Sequence, residues 1–380
     1  MKLSTERILT THVGSLPRSQ EVFELVFAQE RGDVMDETSF KAAIAKAVKD
    51  VVQKQAQAGV DIVSDGEMSK ISYVTYIKYR LSGFEGDSPR RTPADLEAYP
   101  NFAGRASKSG GTPTYRRPRC VAPVAFADRR LLDEDIANLK AALAGANVSE
   151  GFMNSASPGV IALFQPNDFY PSHEAYLEAL GEAMRIEYEA ICQAGLVLQI
   201  DSPDLALGRH MMFKDLTEQD FLKMAEEHIE VLNHSLRNIP AEQVRLHACW
   251  GNYEGPHHCD IGLEKILPTL LKAKPQVLSF EASNLRHAHE WKVFKDIKLP
   301  DDKVLMPGML DSTTNFVEHP ELVAERICRF ADIVGRERVL AGSDCGFSTF
   351  AGFGTVDKDI VYAKLESLAK GAELASARLW

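Results

Sequence analysis

The sequence predicts an α/β protein, a single (β/α)8 TIM barrel carrying one inserted excursion. Three observations predict it. Short β-branched runs alternate with long amphipathic segments over the whole 380 residues, the signature of parallel strands joined by helices. Six of the nine candidate strands finish on a polar or chelating residue, as in a barrel whose active site gathers at the C-terminal ends of its strands. No G-x-G-x-x-G follows a strand, which disfavours the runner-up, a doubly wound dinucleotide-binding sheet.

In chain order, the candidate strands are 10–15, 60–67 (VDIVSDGE), 120–126 (CVAPVAF), 159–164 (GVIALF), 196–201 (LVLQID), 244–250 (VRLHACW), 277–282 (VLSFEA), 303–309 (KVLMPGM) and 338–345 (RVLAGSDC). These are nine, one more than a barrel needs, and 120–126 is taken as the extra one. It follows the Gly-, Pro- and Arg-rich tract 83–118, which shows no helical period. That tract reads as a hairpin or flap inserted into the barrel. Helical patterns cover 38–59, 172–195 and 217–238. Ser172 and Thr217 are natural N-caps, and Gly195 is a natural stop. No interdomain linker is visible, so residues 1–380 read as one domain, and 45% apolar residues supply an ample core.

The net charge of −11 and the lack of a basic patch make nucleic acid or an anionic membrane unlikely as a partner. No signal-peptide pattern and no 18-residue apolar window occur, so the expected location is cytoplasmic. The six cysteines are dispersed and read as thiols or ligands. Cys120, Cys192 and Cys328 fall on apolar faces and read as core.

The strand ends are Ser15, Glu67, Asp201, His247 with Cys249, Glu281, and Asp344 with Cys345. A lone buried His or Cys on a strand is more often core than ligand. Several such endings on one face reverse that expectation. His247 and Cys249 stand two apart and so point the same way along a strand. Cys345 ends the last strand, and Glu281 ends the strand after His247. Two thiols, one imidazole and one carboxylate suit zinc. Ligands drawn from distant strands at the catalytic face favour a catalytic metal over a structural one. A thiolate-rich zinc site is a weak Lewis acid toward water but deprotonates an incoming thiol. The expected chemistry is therefore attack of a metal-activated thiolate on an alkyl group, with zinc-dependent hydrolysis as the competitor.

Taken together, THVGSLPR, VSDGE, LQIDSPD, RLHACWGN, LSFEAS and GSDCGF resemble the catalytic C-terminal barrel of the cobalamin-independent methionine synthase family. The family's short relatives, among them epoxyalkane:coenzyme M transferase, share the resemblance, which runs nearly end to end. It implies zinc on His247, Cys249, Glu281 and Cys345. It implies a homocysteine pocket at Val13, Ser15, Glu67 and Asp201, the two carboxylates holding the amino group and Ser15 helping with the carboxylate. It implies methyl transfer to homocysteine in methionine biosynthesis. On the donor side the chain departs from the family. Phe164 stands where the family stacks the pteridine on a Trp, and Thr313 stands near the family's proton-donating His. The family's second, N-terminal barrel, which helps hold the folate tail, has no counterpart in this chain. The methyl or alkyl donor is therefore left open between methyl-folate and a simpler carrier, such as a methylated corrinoid protein.

The alternative is a coenzyme M-type transferase that opens an epoxide. It needs a proton donor, for which His257, His258 and Tyr253 are candidates, and a cation for the sulfonate near Ser15, for which Arg18 and Arg209 are candidates. From a different class comes a non-catalytic barrel with structural zinc. Cys259, His257, His258 and Asp260 could form a second metal site, or the His pair could simply be solvated. The run FQPNDFY (164–170) is expected to line the donor pocket.

Overall fold

A computed structural model describes residues 1–34, 36–109, 115–352 and 354–380. Nine strands occur among them: β1 (Ile62–Ser64), β2 (Phe84–Glu85), β3 (Arg119–Cys120), β4 (Glu150–Ala156), β5 (Val197–Asp201), β6 (Val244–His247), β7 (Val277–Phe280), β8 (Val304–Leu310) and β9 (Gly342–Ser343). Seven form one parallel sheet in the order β1-β4-β5-β6-β7-β8-β9. The register sets Asp201 of β5 opposite His247 of β6, so polar strand ends fall at one level. The result is an α/β fold built on a curled parallel half-barrel.

It is not the closed eight-stranded barrel expected. Residues 10–15 do not form a strand. Thr10 makes one parallel bridge to Ala341 beside β9, and its carbonyl accepts from Ile62 N of β1 at 3.0 Å. The chain then leaves the ladder at Gly14, whose φ is +144°. A Cβ on Gly14 would lie 2.2 Å from Asn154 Oδ1. Gly14→Ala is therefore expected to cost about 2 kcal/mol or more, read as a lower midpoint in thermal melting. An unchanged midpoint would contradict this account of Gly14.

Two further expectations are corrected. Residues 159–164 are not a strand but part of a helix, Pro158–Phe164. Ser157 caps it by accepting from Val160 N at 2.9 Å, and Pro158 sits in the first turn, where its missing N–H costs nothing. The strand of that unit is β4, just upstream. Residues 120–126 contribute only Cys120 to a strand, while Phe126 makes an isolated antiparallel bridge to Leu81. β3 pairs antiparallel with β2, Phe84 opposite Cys120, which pins the two ends of the 83–118 excursion together. Between them stand helices Ala94–Glu97 and Pro100–Ser109, where no helical period was read. Residues 110–114 of the excursion lie outside the described residues.

The expected helices are present as Glu37–Gln57, His173–Gln193 and Glu218–Ser235. Ser172 Oγ accepts from Ala175 N at 3.2 Å and Thr217 Oγ1 from Asp220 N at 3.1 Å. The half-barrel interior packs Val13, Ile62, Phe152, Val197, Val277 and Met306, while a larger apolar layer joins sheet to helices. Among the described residues no helix is long and apolar enough to cross a membrane.

Candidate metal centre and adjoining cavity

His247 is the last residue of β6, and Cys249 follows two residues on. Cys345 lies two residues past β9. Strands β6 and β9 are not neighbours in the sheet, yet its curl brings the three side chains together. Their ligand atoms all lie within 4.8 Å of one another, and all three residues are buried. Cys249 Sγ is 3.0 Å from Cys345 Sγ, and Cys345 Sγ is 3.7 Å from His247 Nε2. Among the described residues this is the one cluster of three or more such groups poised to hold an ion.

Glu281, one residue past β7, is not part of that compact set. Its Oε1 stands 3.7 Å from Cys345 Sγ. The same oxygen accepts from Trp250 N at 2.7 Å, and Oε2 accepts from Asn284 Nδ2 at 2.7 Å. The carboxylate is thus held beside the triad by neutral donors. Asp344 braces this corner by accepting from the backbone N–H groups of Ala282, Ser283 and Asn284, each at 2.8 Å. Burial and the nearby Glu281 push Asp344 up to about 7, against those three donors.

The electrostatics suit a cation. Burial pushes the Cys345 thiol well up, reinforced by Cys249. Cys249 is also raised: its bond with Cys345 pulls down, but burial and Glu281 outweigh it. Burial raises Glu281 and lowers His247 to about 3, so the imidazole is neutral and able to coordinate. Burial here resists negative charge on three groups that converge, which a divalent ion would relieve. The donor set of soft sulfur, imidazole and carboxylate fits zinc. Ser279 Oγ lies 3.3 Å from His247 Nδ1 and orients the ring.

The triad opens into a cavity of about 250 Å³, also lined by Val13, Ser15, Glu67 and Asp201. Asp201 closes β5. Its Oδ1 accepts from Gln199 Nε2 at 2.8 Å and its Oδ2 from Asn154 Nδ2 at 2.9 Å. Both amides also donate to Val13 O. Arg245 is fully buried; its Nε holds Gln199 Oε1 at 2.7 Å, and its guanidinium lies 3.5 Å from the Phe152 ring centroid. Glu67 adopts a left-handed φ of +57°, an unusual backbone for a residue with a side chain. Its N–H donates to Asp65 Oδ1 at 2.9 Å, while its own Oε2 is buried without a hydrogen-bond partner. Burial pushes both Glu67 and Asp201 up from the ordinary carboxylate range, and the Asp201 charge adds to the cost of ionising Glu67. Ser15 Oγ accepts weakly from Ser348 N at 3.4 Å. It stands so near Gly346 that a Cβ there would lie 2.0 Å away.

The remaining candidates divide. Phe164 and Tyr253 line the cavity; His257, His258 and Thr313 do not. Tyr253 Oη donates to Asp95 Oδ2 at 2.8 Å. His257 stacks on the Tyr253 ring at 4.4 Å and holds Asp260 Oδ2 at 3.0 Å. His258 meets Tyr99 edge-on. Thr313 is turned onto Asp311 Oδ1 at 2.8 Å. Asp260 is also bonded by His287 at 3.0 Å, a pairing that leaves Cys259 out, so no second metal cluster forms there. Of 164–170 only Phe164 reaches the cavity; Asp168 pairs with Arg119, and Tyr170 Oη accepts from Val124 N at 2.8 Å. Arg18 donates to the carbonyls of Glu67, Lys70 and Ser348, and Arg209 to those of Phe213 and Lys214. Neither lines the cavity. Cys120 and Cys192 are buried, Cys328 half-buried.

Several lining residues were missed: Tyr73, Arg91, Arg117, Asn252 and Thr349, with Asn154 behind them. The excursion's arginine richness was a signal for Arg91 and Arg117. Asn154 sits on the strand that was read as lying further along.

A family profile described as "Cobalamin-independent synthase, Catalytic domain" matches residues 8–94 and 104–361. A methionine synthase of Sulfurisphaera tokodaii is 24% identical over 379 residues, covering 97% of this chain and 93% of its own. One of Thermococcus kodakarensis is 25% identical over 376 residues, covering 97% and 94%. The solved structure of a B12-independent methionine synthase from Shewanella sp. W3-18-1, in complex with selenomethionine, superposes with a TM-score of 0.73. It is 18% identical and covers 98% of this chain and 99% of that one.

Proposed function

Since this chain belongs to the cobalamin-independent synthase catalytic-domain family, we propose that it is a transferase that methylates homocysteine to methionine, with zinc at His247, Cys249 and Cys345 and Glu281 beside them. The observation that carries the reading is the buried triad opening into the same cavity as Glu67 and Asp201. Zinc held there would keep an incoming thiol deprotonated at neutral pH and so nucleophilic. The chain's own residues do the rest. Glu67 and Asp201 face the cavity as a carboxylate pair for the substrate's ammonium, and the unpartnered Glu67 Oε2 is a ready acceptor. Asn154 and Gln199 fix the Asp201 carboxylate, and Arg245 fixes Gln199. Ser15 and the Val13 backbone border the place left for the substrate carboxylate. As the sulfur–carbon bond forms, the donor's bond to its methyl group breaks and the electron pair stays on the donor. Where that donor atom needs a proton, Tyr253 is the one candidate that lines the cavity, yet its hydroxyl is committed to Asp95 and burial beside that carboxylate pushes it well up, which makes it a poor acid.

The coenzyme M-type alternative requires a sulfonate-binding cation beside Ser15. Arg18 and Arg209 are turned onto backbone carbonyls instead. The test is to load the protein with zinc and supply homocysteine with methyl-folate, methylcobalamin and a methylated corrinoid protein in turn. Methionine should form with one of them, and coenzyme M should not replace homocysteine. No methionine from any donor would sink the reading.

A further inference from the structure

Besides the carboxylates, the cavity lining holds a cation without a counter-charge among the described residues. Arg117 is only 9% exposed, lines the cavity, and its Nε is buried without a hydrogen-bond partner. Among the described residues no carboxylate lies within ion-pair distance of it. A buried, unpaired guanidinium is costly, and natural folds seldom keep one unless something else satisfies it. Its neighbours are rings. Its Cζ lies 5.3 Å from the Phe164 centroid and 5.9 Å from that of Tyr115. Tyr73 packs edge-on to Phe164 at 6.1 Å. Arg91, exposed, lines the same cavity from the same excursion. The nearby Arg119 is different, because Asp168 already neutralises it.

The cavity lining thus carries both signs of charge. Glu67, Asp201 and two thiols suit an ammonium and a metal. Arg117, set against the Phe164 and Tyr115 rings, and Arg91 suit a planar group bearing negative charge. We propose that Arg117, with Arg91 beside it, is an anion-binding subsite that takes the carboxylate, sulfonate or phosphate of the second substrate, the methyl donor. The proposal rests on the transferase reading only for what the anion is attached to. In transfer, the donor's methyl bond breaks, the pair stays on the donor, and its anion stays on Arg117 throughout. Uncharged donors are excluded, since they would leave the buried guanidinium unsatisfied.

The probe is benzenesulfonate, an aromatic anion that coordinates zinc poorly, with methyl phenyl sulfone as its neutral counterpart. Titration calorimetry on the zinc-loaded protein should show the sulfonate binding and the sulfone binding at least roughly tenfold more weakly. Arg117→Gln should weaken the sulfonate roughly tenfold or more while homocysteine binding stays unchanged, which also reports that the variant is folded. Should Arg117→Gln fail to fold, Arg91→Gln, an exposed change, should still weaken the sulfonate measurably. Homocysteine and benzenesulfonate should bind together. Equal binding of sulfonate and sulfone, sulfonate binding indifferent to both arginines, or displacement of the sulfonate by homocysteine would each overturn the subsite. Arginine-dependent sulfonate binding in a protein that makes no methionine would leave the subsite standing and remove the homocysteine reading.

Discussion

Cys249→Ser is expected to abolish methyl transfer while leaving a folded protein. Cys249 Sγ faces Cys345 Sγ at 3.0 Å and accepts from Gly251 N at 3.3 Å. A serine hydroxyl can keep both contacts, so the fold loses little. Metal binding loses one of its two thiolates. Since even outer-shell partners of a metal site are worth 10–100-fold in affinity, loss of a ligand should weaken zinc by at least about 100-fold. Activity should fall about 1,000-fold or more, because an activating metal supplies several kcal/mol to the transition state. Metal content by atomic absorption, methionine formation and a thermal melt check the three parts. A variant that keeps zinc and activity would remove Cys249 from the centre. A variant that unfolds along with its metal would favour the structural-zinc reading.

Glu67→Gln is expected to raise the homocysteine KM by roughly 30–150-fold, the equivalent of about 2–3 kcal/mol for a charge-assisted hydrogen bond, with a smaller effect on kcat. The amide keeps the shape and the backbone N–H bond to Asp65, so what is lost is the charge. The pH dependence follows from the raised carboxylates. Burial lifts Glu67 and Asp201 above their ordinary range near 4, so both become protonated as pH falls below neutral. The substrate's ammonium then loses its partners, and binding weakens toward acid while holding at mildly alkaline pH. In Glu67→Gln only Asp201 is left to titrate, so the acid limb should become shallower. A wild-type affinity flat from acid to neutral pH would show that these carboxylates do not hold the ammonium.

Much of the candidate site was legible in the sequence. His247, Cys249 and Cys345 stand at strand ends within distinct local patterns, and strand ends need only the chain's alternation to be placed. The helices at 37–57, 173–193 and 218–235 were legible for the same reason: caps, stops and period are local. The misread stretches were those where local signals conflict. GVIALF (159–164) is apolar throughout, and a short buried run has no period to separate strand from helix. The Ser157-Pro158 start was the sign that it is helical. β4 was overlooked because Asn154 and Ser155 interrupt it, and those polar residues are there to serve Asp201 and Glu187.

By itself, then, the sequence determined the α/β class and marked the candidate ligand types and the candidate carboxylate pair, because each strand end carries its own local pattern even though the ends lie far apart in the chain. Only the tertiary structure decided the rest. It showed that the ladder stops short of eight strands, that Glu281 stands beside the compact triad, and that His257, His258 and Thr313 turn away from the cavity. It also showed that Arg117 lines the cavity with no counter-charge among the described residues. The physical reason is common to all four. Curl of the sheet, direction of a side chain and the presence or absence of a counter-charge depend on contacts between segments far apart in the chain, which no local pattern encodes.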